Sequence, residues 1–421
     1  MALLTSDVIL DEAMERYATQ SVIMQLADGR YDKQWSTSPT KGDTIAIRLP
    51  VYASARRGER ANPQAIDERL VNLVIPPAYG SDSLLTDRQL AMELTDFKSQ
   101  VLEPHIDSIS SAVAKAACST VSLGVSQFVG VPGVTPTSLD TYQSAHTILT
   151  QSGTPAGLGG VRSMLVDANM DQYAAAAGRT FYNPTAEISE RYRTGSMAGK
   201  LGDFGGATWY MEQALYQQII GSLSTSQIQV NGANQSGNSI NLKGFVASQN
   251  GVLNPGDKLQ FFGSQQVHPV LQTVYANTMS FFTVAQTVNS DSSGHAAVLL
   301  TEAIEFGTPY ANVSALAADS ANVYVWGQLL GGNPGYAGIA NLVFTTGILM
   351  HKSALVYASP DLDLPSNADK LSGRTRSKEM KIAMRVWRDA DIMSGERITR
   401  LDILCGHLVG QPRKACLICS M

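Results

Sequence analysis

Four side chains near the end of the chain have the chemistry of metal ligands or redox groups. Cys405, His407, Cys416 and Cys419 form a C-x-H…C-x-x-C pattern, which contains three of the four cysteines of the chain. Thiolate and imidazole are ligands that Zn²⁺ prefers in proteins. One hypothesis is therefore a zinc site, or a thiol-dependent enzyme, built from these four residues.

The spacing favours a second interpretation, in which the same residues pack inside a β-sheet. Cys405 and His407 are two residues apart, so their side chains point to one face of a strand. Cys416 and Cys419 are three apart, so on a regular strand they face opposite ways. The segment CLIC between them is apolar, whereas a zinc knuckle needs a turn there. We therefore interpret the cysteines as small hydrophobic residues and expect neither a metal nor a cofactor.

The sequence contains little else that is typical of an enzyme. It has no HExxH segment and no GxSxG segment. GSMAGK, at 195–200, has three residues between its glycines where a phosphate-binding loop has four, and Leu201 replaces the hydroxyl that binds magnesium. GLGG, at 157–160, precedes a predicted strand, whereas a dinucleotide-binding fingerprint follows one. These patterns predict a protein that is not an enzyme.

The composition is that of a folded protein with two or three domains. Of its 421 residues, 44% are hydrophobic and 16% are charged, and the formal net charge is -5. A protein that grips nucleic acid through its phosphates is normally basic, so the charge argues against that role. The small share of charged residues suggests a surface that other subunits cover. The longest apolar stretch, NLVFTTGILM, is much shorter than the roughly 18 residues that span a bilayer.

The first residues indicate a protein that is made and kept inside a cell. Asp7, Asp11, Glu12 and Glu15 lie where a secretory signal peptide would be apolar. In a reducing compartment, cysteines are expected as free thiols or metal ligands rather than as a disulfide framework.

A long hairpin is predicted after an N-terminal arm. TIAIRLPVYASA and RLVNLVIPPAY alternate apolar and polar residues, as strands do. The tip between them carries Arg56, Arg57, Glu59 and Arg60. Because an isolated ribbon is marginal in water, we expect this one to lie on something else. Its charged tip is either a solvated turn or a contact with another molecule.

The remaining elements alternate in type along the chain. Residues 86–121 have apolar side chains at helical spacing, and Pro104 is predicted to kink or split that helix. An α/β region at 140–225 is followed by short strands and turns at 226–327, which predict an inserted β domain. The chain then returns to the α/β region. It ends in three predicted antiparallel strands, EMKIAMRVWRD, ERITRLDILCGH and RKACLIC.

This order of elements resembles that of the major capsid, or coat, proteins of tailed bacteriophages. Specifically, it resembles the coat family of short-tailed Salmonella-type phages, which carries an inserted β-barrel. The segments similar to that inserted domain are PGDKLQFFGSQQVHPVLQT, SFFTVAQTV and GHAAVLLTEAI. GIANLVFTTGILMHKSALVYASPDLDLP resembles the return to the capsid core. MRVWRDADIMSGERITRLDILCGHLVGQPRKACLI resembles the closing meander.

The resemblance implies an α+β capsid fold with a defined set of domains. These are an N-terminal arm at 1–40, an E-loop hairpin at 41–79, the spine helix with part of the P-domain at 80–139, the two parts of the A-domain at 140–225 and 328–370, the inserted β-barrel at 226–327, and the P-domain β meander at 371–421. Arg56, Arg57, Glu59 and Arg60 would then make contacts between subunits.

The resemblance also implies a structural role and a set of partners. The chain would self-assemble from hexamers and pentamers, through a procapsid, into the icosahedral shell that encloses a double-stranded DNA genome. The expected partners are a scaffolding protein, a portal at one vertex, and decoration or tail-associated proteins. DNA would be enclosed without sequence-specific binding, and no membrane would be involved. Assembly would occur in the host bacterial cytoplasm and give the virion capsid.

Two other functions stay open at this stage. An encapsulin-like cellular nanocompartment would use the same fold, although the inserted β domain argues against it. A zinc or thiol enzyme would use Cys405, His407, Cys416 and Cys419. Elemental analysis for zinc separates the second alternative, and the neighbouring genes separate the first.

Overall fold

The computed structural model describes residues 10, 13–17, 21–29, 44–51, 59–60, 68–86, 103–155, 161–178, 200–204, 206–223, 227–327, 340–364, 372–377, 380–391, 393 and 396–421. The helices are α1 Val22–Leu26, α2 Glu103–Gly124, α3 Leu139–Gln151 and α4 Ala168–Gly178, with a 3₁₀ turn at Pro412–Lys414. The first strands are β1 Thr44–Arg48, β2 Leu70–Val74, β3 Tyr79–Thr86, β4 Phe128–Val129, β5 Arg162–Val166, β6 Lys200–Phe204, β7 Ala207–Met211, β8 Gln217–Ile219, β9 Gln229–Val230 and β10 Gly237–Lys243. The later strands are β11 Lys258–Val267, β12 Val274–Thr283, β13 His295–Ile304, β14 Val323–Val325, β15 Val343–His351, β16 Leu355–Ala358, β17 Gly373–Arg376, β18 Ala383–Asp391, β19 Glu396–Ile403, β20 Gly406–Val409 and β21 Ala415–Cys419.

The chain divides into two compact units, and strands outnumber helices in the described residues. The first unit consists of Met1–Arg48, Leu70–Cys118 and Leu355–Gly410. The second consists of Leu49–Arg69, Ser119–Ala354 and Gln411–Met421. The division falls within α2, after Cys118.

In the first unit, β1 and β2 form the predicted two-stranded antiparallel ribbon. Alternation along the strands places Ile45, Ile47 and Leu73 on one face, where all three are buried. They pack with Val356 and Ala358 of β16. The ribbon therefore lies on other strands of the unit, as a marginal two-stranded element requires.

A four-stranded antiparallel sheet of the first unit joins distant parts of the chain. Its order is β17-β18-β19-β3. β3 pairs with β19 along all eight of its residues, from Tyr79 opposite Ile403 to Thr86 opposite Glu396. The segment just before the long helix therefore completes the sheet formed by the end of the chain. On that sheet the buried carboxylate of Asp402 accepts hydrogen bonds from Arg385, at 2.5 Å, and from Arg400, at 2.7 Å.

The long helix begins later in the described residues than the apolar spacing predicts. α2 runs from Glu103 to Gly124, and Pro104 is its second residue. A proline is tolerated in the first turn, because the backbone N–H that it lacks has no partner there. Residues 87–102, where the kink or break before Pro104 is predicted, lie outside the described residues.

A seven-stranded mixed sheet forms the core of the second unit. Its order is β4-β21-β15-β5-β7-β6, and β8 also pairs with β15. Every residue of β5 and of β21 is buried. Such continuous burial is typical of strands that are covered on both faces.

Helix α3 illustrates how the sequence sets local structure in this unit. Ser138 caps its start, since the Ser138 hydroxyl accepts a hydrogen bond from the N–H of Asp140 at 3.1 Å. The helix buries one face, formed by Tyr142, Ala145, Ile148 and Leu149. It ends at Gln151, and Gly153, two residues further on, has a φ of 77° that favours glycine.

Residues 227–327 contain two three-stranded sheets, and we call this segment, which lies in the chain between β8 and β15, the insertion. Their orders are β13-β10-β9 and β12-β11-β14. Isolated bridges join Gln229 to Asn322 and Val284 to Leu300. The six strands therefore follow one another around a closed ring. β13 alternates buried and exposed residues along most of its length, so it turns one face toward the inside of the ring.

The position of the last strand contradicts the predicted terminal meander. β21 pairs antiparallel with β15 and parallel with β4, in the second unit. The prediction that residues 371–421 form one meander is therefore wrong for 411–421. The physical reason is burial: β21 has no exposed residue, whereas β19 keeps an exposed face. A strand without a polar face needs a sheet that is covered on both sides.

Two related predictions also need correction. The segment ERITRLDILCGH is predicted to be one strand beside RKACLIC, but it contains β19 and the start of β20. β20 pairs with β16 and not with β21, the strand that contains Cys416. Residues 328–370, predicted to be one part of an α/β domain, contribute β15 to the second unit and β16 to the first.

Candidate functional site

The predicted contact residues stand between β1 and β2 in the chain. Arg56 and Arg57 are outside the described residues. Glu59 and Arg60 are described, and both are exposed. The two described members of the set are therefore accessible to another molecule.

The hairpin strands next to this loop expose apolar side chains on their outer face. Leu70 is 59% exposed and Val74 is 53% exposed. In register, they lie opposite Arg48 and Thr44 of β1. The ribbon thus has one buried apolar face and one mixed face that is open in the single chain.

Arg69, which directly precedes β2, makes the most extensive contact of this region. Its two terminal nitrogens donate to the two carboxylate oxygens of Glu305, at 2.6 Å and 2.9 Å. Its guanidinium carbon lies 3.8 Å from the centre of the Tyr310 ring. The carbonyl of Arg69 accepts a hydrogen bond from the N–H of Leu49 at 2.9 Å. Nothing in the sequence signals this contact, because the ion pair joins residues 236 positions apart.

Cys405 and His407 lie side by side, as their spacing predicts. The sulfur of Cys405 is 3.4 Å from Nε2 of His407. Burial raises the pKa of the Cys405 thiol to about 12, and loss of solvent lowers the pKa of His407 to about 4. Both groups are therefore neutral at pH 7. A reactive cysteine needs a thiolate, so this pair has the charge state of packed side chains rather than of a nucleophile and its base.

Cys416 and Cys419 occupy a different sheet from the Cys405 pair. They lie on β21, opposite Leu349 and Thr346 of β15, and both are buried. Burial holds the pKa of each thiol well above its ordinary value. Within the described residues, no three Cys, His, Asp or Glu side chains are grouped so that they could hold a metal ion. The structure thus brings together Cys405 and His407 but assembles no four-residue site.

A buried pair of charges at the base of the insertion is not foreseen from the sequence. Asp257 and Lys258 are both fully buried. The carboxylate of Asp257 accepts hydrogen bonds from the N–H of Gly221 at 3.0 Å and from the indole N–H of Trp326 at 3.1 Å. Gly221 stands just before the insertion, and Trp326 is the second-to-last of its residues. Asp257 therefore forms hydrogen bonds at both ends of the insertion.

Lys258 donates hydrogen bonds to the end of α2, the long helix that precedes the insertion in the chain. Its ammonium group donates to the carbonyls of Ser122 and Val125, at 2.8 Å and 2.6 Å, and to the hydroxyl of Thr283, at 3.2 Å. The last carbonyls of a helix have no partner within the helix, and a cation there also suits the helix dipole. Burial lowers the pKa of Lys258 to about 7, and Asp257 opposes that shift. Lys258 is thus a buried cap for the end of α2.

Both glycine-rich segments of the sequence, residues 157–160 and 195–199, lie outside the described residues. No helix in the described part of the chain is long and apolar enough to cross a bilayer.

Comparison with known proteins gives distant likenesses of fold. No family model matches the chain, and no curated protein is similar to it. A solved structure titled "Mycobacterium phage Che8" is 12% identical with a TM-score of 0.47, and the match covers 95% of this chain and 91% of that one. The capsid of the cyanophage P-SCSP1u is 12% identical with a TM-score of 0.45 and coverages of 95% and 88%. The capsid of Ralstonia phage GP4 is 6% identical with a TM-score of 0.43 and coverages of 90% and 83%.

Proposed function

We propose that the chain is the major capsid protein of a tailed bacteriophage, a structural protein that assembles with copies of itself into an icosahedral shell. The proposal rests on the order and pairing of the chain's own elements. In this reading the shell consists of hexamers and pentamers and encloses a double-stranded DNA genome. The chain acts in the virion capsid after assembly in the host cytoplasm.

The observation that carries the proposal is the pairing of β3 with β19. A shell subunit of the resembled kind needs its hairpin and spine helix to emerge from the sheet that the end of the chain forms. β3 follows the hairpin, precedes α2, and pairs with β19 over its full length. The hairpin also packs on β16, which precedes that terminal sheet in the chain.

The insertion supports the short-tailed Salmonella-type assignment. Six strands at 227–327 form a ring between two parts of the mixed sheet, which is where that family carries its β-barrel. We assign this ring to the inserted domain. It also counts against an encapsulin-like compartment, whose shell fold would have no such insertion.

The charge and the exposed surfaces fit a shell subunit. A net charge of -5 suits a container that holds DNA without adhering to it. The open face of the hairpin, with Leu70 and Val74, and the charged loop with Glu59 and Arg60 are surfaces that a neighbouring copy would cover. A scaffolding protein, a portal, and decoration or tail-associated proteins complete the proposed set of partners.

The proposal is tested by the size of the particles that the chain forms. The chain is expressed alone and together with the genes that flank its own, and the lysate is sedimented through a sucrose gradient. The expected result is a fast fraction that contains closed particles of uniform diameter in negative stain. A chain that stays monomeric in every condition, including with the flanking genes, would contradict the proposal.

A further inference from the structure

We propose that the inserted β domain holds Arg69, and through it Leu49, so that the insertion controls how the exposed residues Glu59 and Arg60, which stand between them in the chain, meet a neighbouring copy. The second half of this statement rests on the proposed function, whereas the first concerns the single chain. We call Glu305 and Tyr310 the Arg69 socket.

The socket binds Arg69 in two ways at once. Glu305 takes both terminal nitrogens of the guanidinium, and the Tyr310 ring lies under its plane. A bidentate carboxylate and an aromatic face suit the flat, forked guanidinium, and a lysine ammonium would not match both. Such an arrangement fixes the direction of the arginine as well as its distance.

The socket is held in shape by the insertion itself. The N–H of Glu305 donates to the side-chain oxygen of Asn312 at 2.8 Å. The side-chain amide of Asn312 donates to the carbonyl of Ala303 at 2.6 Å. The hydroxyl of Ser280 donates to the backbone carbonyl of Asn312 at 2.8 Å. Asn312 is buried, with 6% of its surface exposed. The loop that carries the socket is therefore braced against two strands of the ring before Arg69 arrives.

Arg69 is well placed to pass this constraint to the loop. Its carbonyl accepts the N–H of Leu49, which closes the base of the segment that contains Glu59 and Arg60. Leu49 and Arg69, which stand on either side of Glu59 and Arg60 in the chain, are thus bonded to each other, and Arg69 is fixed to the insertion. This gives the insertion a role in placing the predicted contact residues, which lie far from it in the sequence.

The first test measures backbone amide exchange in the unassembled full-length chain. Arg69→Glu and Glu305→Arg each place like charges together, and we expect each to speed exchange at Leu49 about tenfold, as the loss of one charge-assisted pair does. The double variant restores the pair with its sign reversed and should return exchange to within about threefold of the unchanged protein. Unchanged exchange in both single variants, or no recovery in the double variant, would overturn the proposal.

A control lies on β13, the strand that directly precedes Glu305 in the chain. Two nitrogens of Arg413 donate to one carboxylate oxygen of Glu302, at 2.7 Å and 2.9 Å. Arg413→Ala removes an equivalent arginine-carboxylate pair and should leave exchange at Leu49 unchanged. An equal increase in this control would mean that general loosening of the insertion, not the socket, speeds exchange. Should Arg69→Glu fail to fold, Arg69→Lys is measured instead, and a smaller but clear increase is expected.

The second test measures particle yield and separates this inference from the proposed function. Each single variant should lower the yield of closed particles, and the charge-swapped double variant should recover it. If the unchanged chain forms no particles, the proposed function fails while the exchange experiment still decides the socket. If the single variants speed exchange yet assemble with normal yield, the socket holds the loop but does not control assembly, which overturns that half of the inference.

Discussion

The ammonium nitrogen of Lys258 lies 2.8 Å from the carbonyl oxygen of Ser122, in the last turn of the long helix. A residue of the inserted domain thus completes the hydrogen bonds of an element that precedes it by more than a hundred positions. Helix ends that are buried without such partners are costly, because each unpaired carbonyl loses its hydrogen bond to water. The insertion is therefore part of what stabilises the helix.

Replacing Lys258 by Met should destabilise the protein. The change keeps most of the side-chain volume but removes this donor from the buried carbonyl of Ser122, at a cost of about 1–3 kcal/mol, while the carbonyl of Val125 keeps the hydroxyl of Thr283 at 3.2 Å. Removing a buried charge offsets part of that cost, so we expect a net loss of roughly 1–2 kcal/mol in the free energy of unfolding. Denaturant unfolding measures this change. Lys243→Met is the control, since Lys243 pairs with the exposed Asp319 and should change stability by less than about 1 kcal/mol. Equal effects at the two positions would contradict the role of Lys258 as a cap.

The contribution of Lys258 to stability should depend on pH. Its pKa is about 7 in the folded chain and near its ordinary value of 10.5 in the unfolded chain. Between these values the unfolded chain binds more protons, so stability rises with pH across this window and is level below it. The buried thiols act in the opposite direction. Lys258 lowers the pKa of the Cys419 thiol, but burial holds that pKa above this window with or without the lysine, so the thiols contribute equally in both proteins. The stability of the unchanged protein minus that of Lys258→Met should therefore increase from pH 7 to pH 10. A stability difference between the two proteins that stays constant from pH 7 to pH 10 would contradict the lowered pKa of Lys258.

The cysteines should be inert in the native protein and free of zinc. All four are buried, and burial raises the pKa of Cys405, Cys416 and Cys419, so thiolate is scarce at pH 8. A thiol reagent should label four sites after denaturation and almost none before it. Elemental analysis should find no zinc bound in proportion to the chain. Stoichiometric zinc, or rapid native labelling, would revive the enzyme alternative.

The charged loop should matter for assembly more than for folding. Changing Arg56, Arg57 and Arg60 together to Ala should leave the monomer folded but lower the yield and the salt resistance of particles. Replacement of the same three residues by Lys keeps the charge and should retain most of the yield. The measurements are thermal unfolding of the monomer and quantitative sedimentation of the particles. Normal particles from the alanine variant would show that these arginines make no contact between subunits.

Local patterns predicted many elements because their causes are local. The alternation in TIAIR and LVNLV identifies β1 and β2, and the apolar residues at helical spacing identify α2. The neighbouring pair Cys405 and His407 also followed from spacing alone. In each case the side chains that decide the structure are close in sequence.

The failures concern partners that are distant in sequence. The apolar run ACLIC identifies a strand, but only its full burial shows that it belongs between β4 and β15. Lys258 follows a turn and has the composition of a surface residue, and the chain buries it because the end of α2 offers two carbonyls there. Arg69 and Glu305 have no shared pattern at all. Tertiary packing decides the position of the strand ACLIC, the burial of Lys258 and the pairing of Arg69 with Glu305.

The most direct test of the capsid assignment is electron cryomicroscopy of the sedimenting fraction. We predict closed icosahedral particles in which each subunit shows β3 paired with β19 and the six-stranded ring at 227–327. A fraction with only monomers or irregular aggregates, obtained with the flanking genes present, would contradict it.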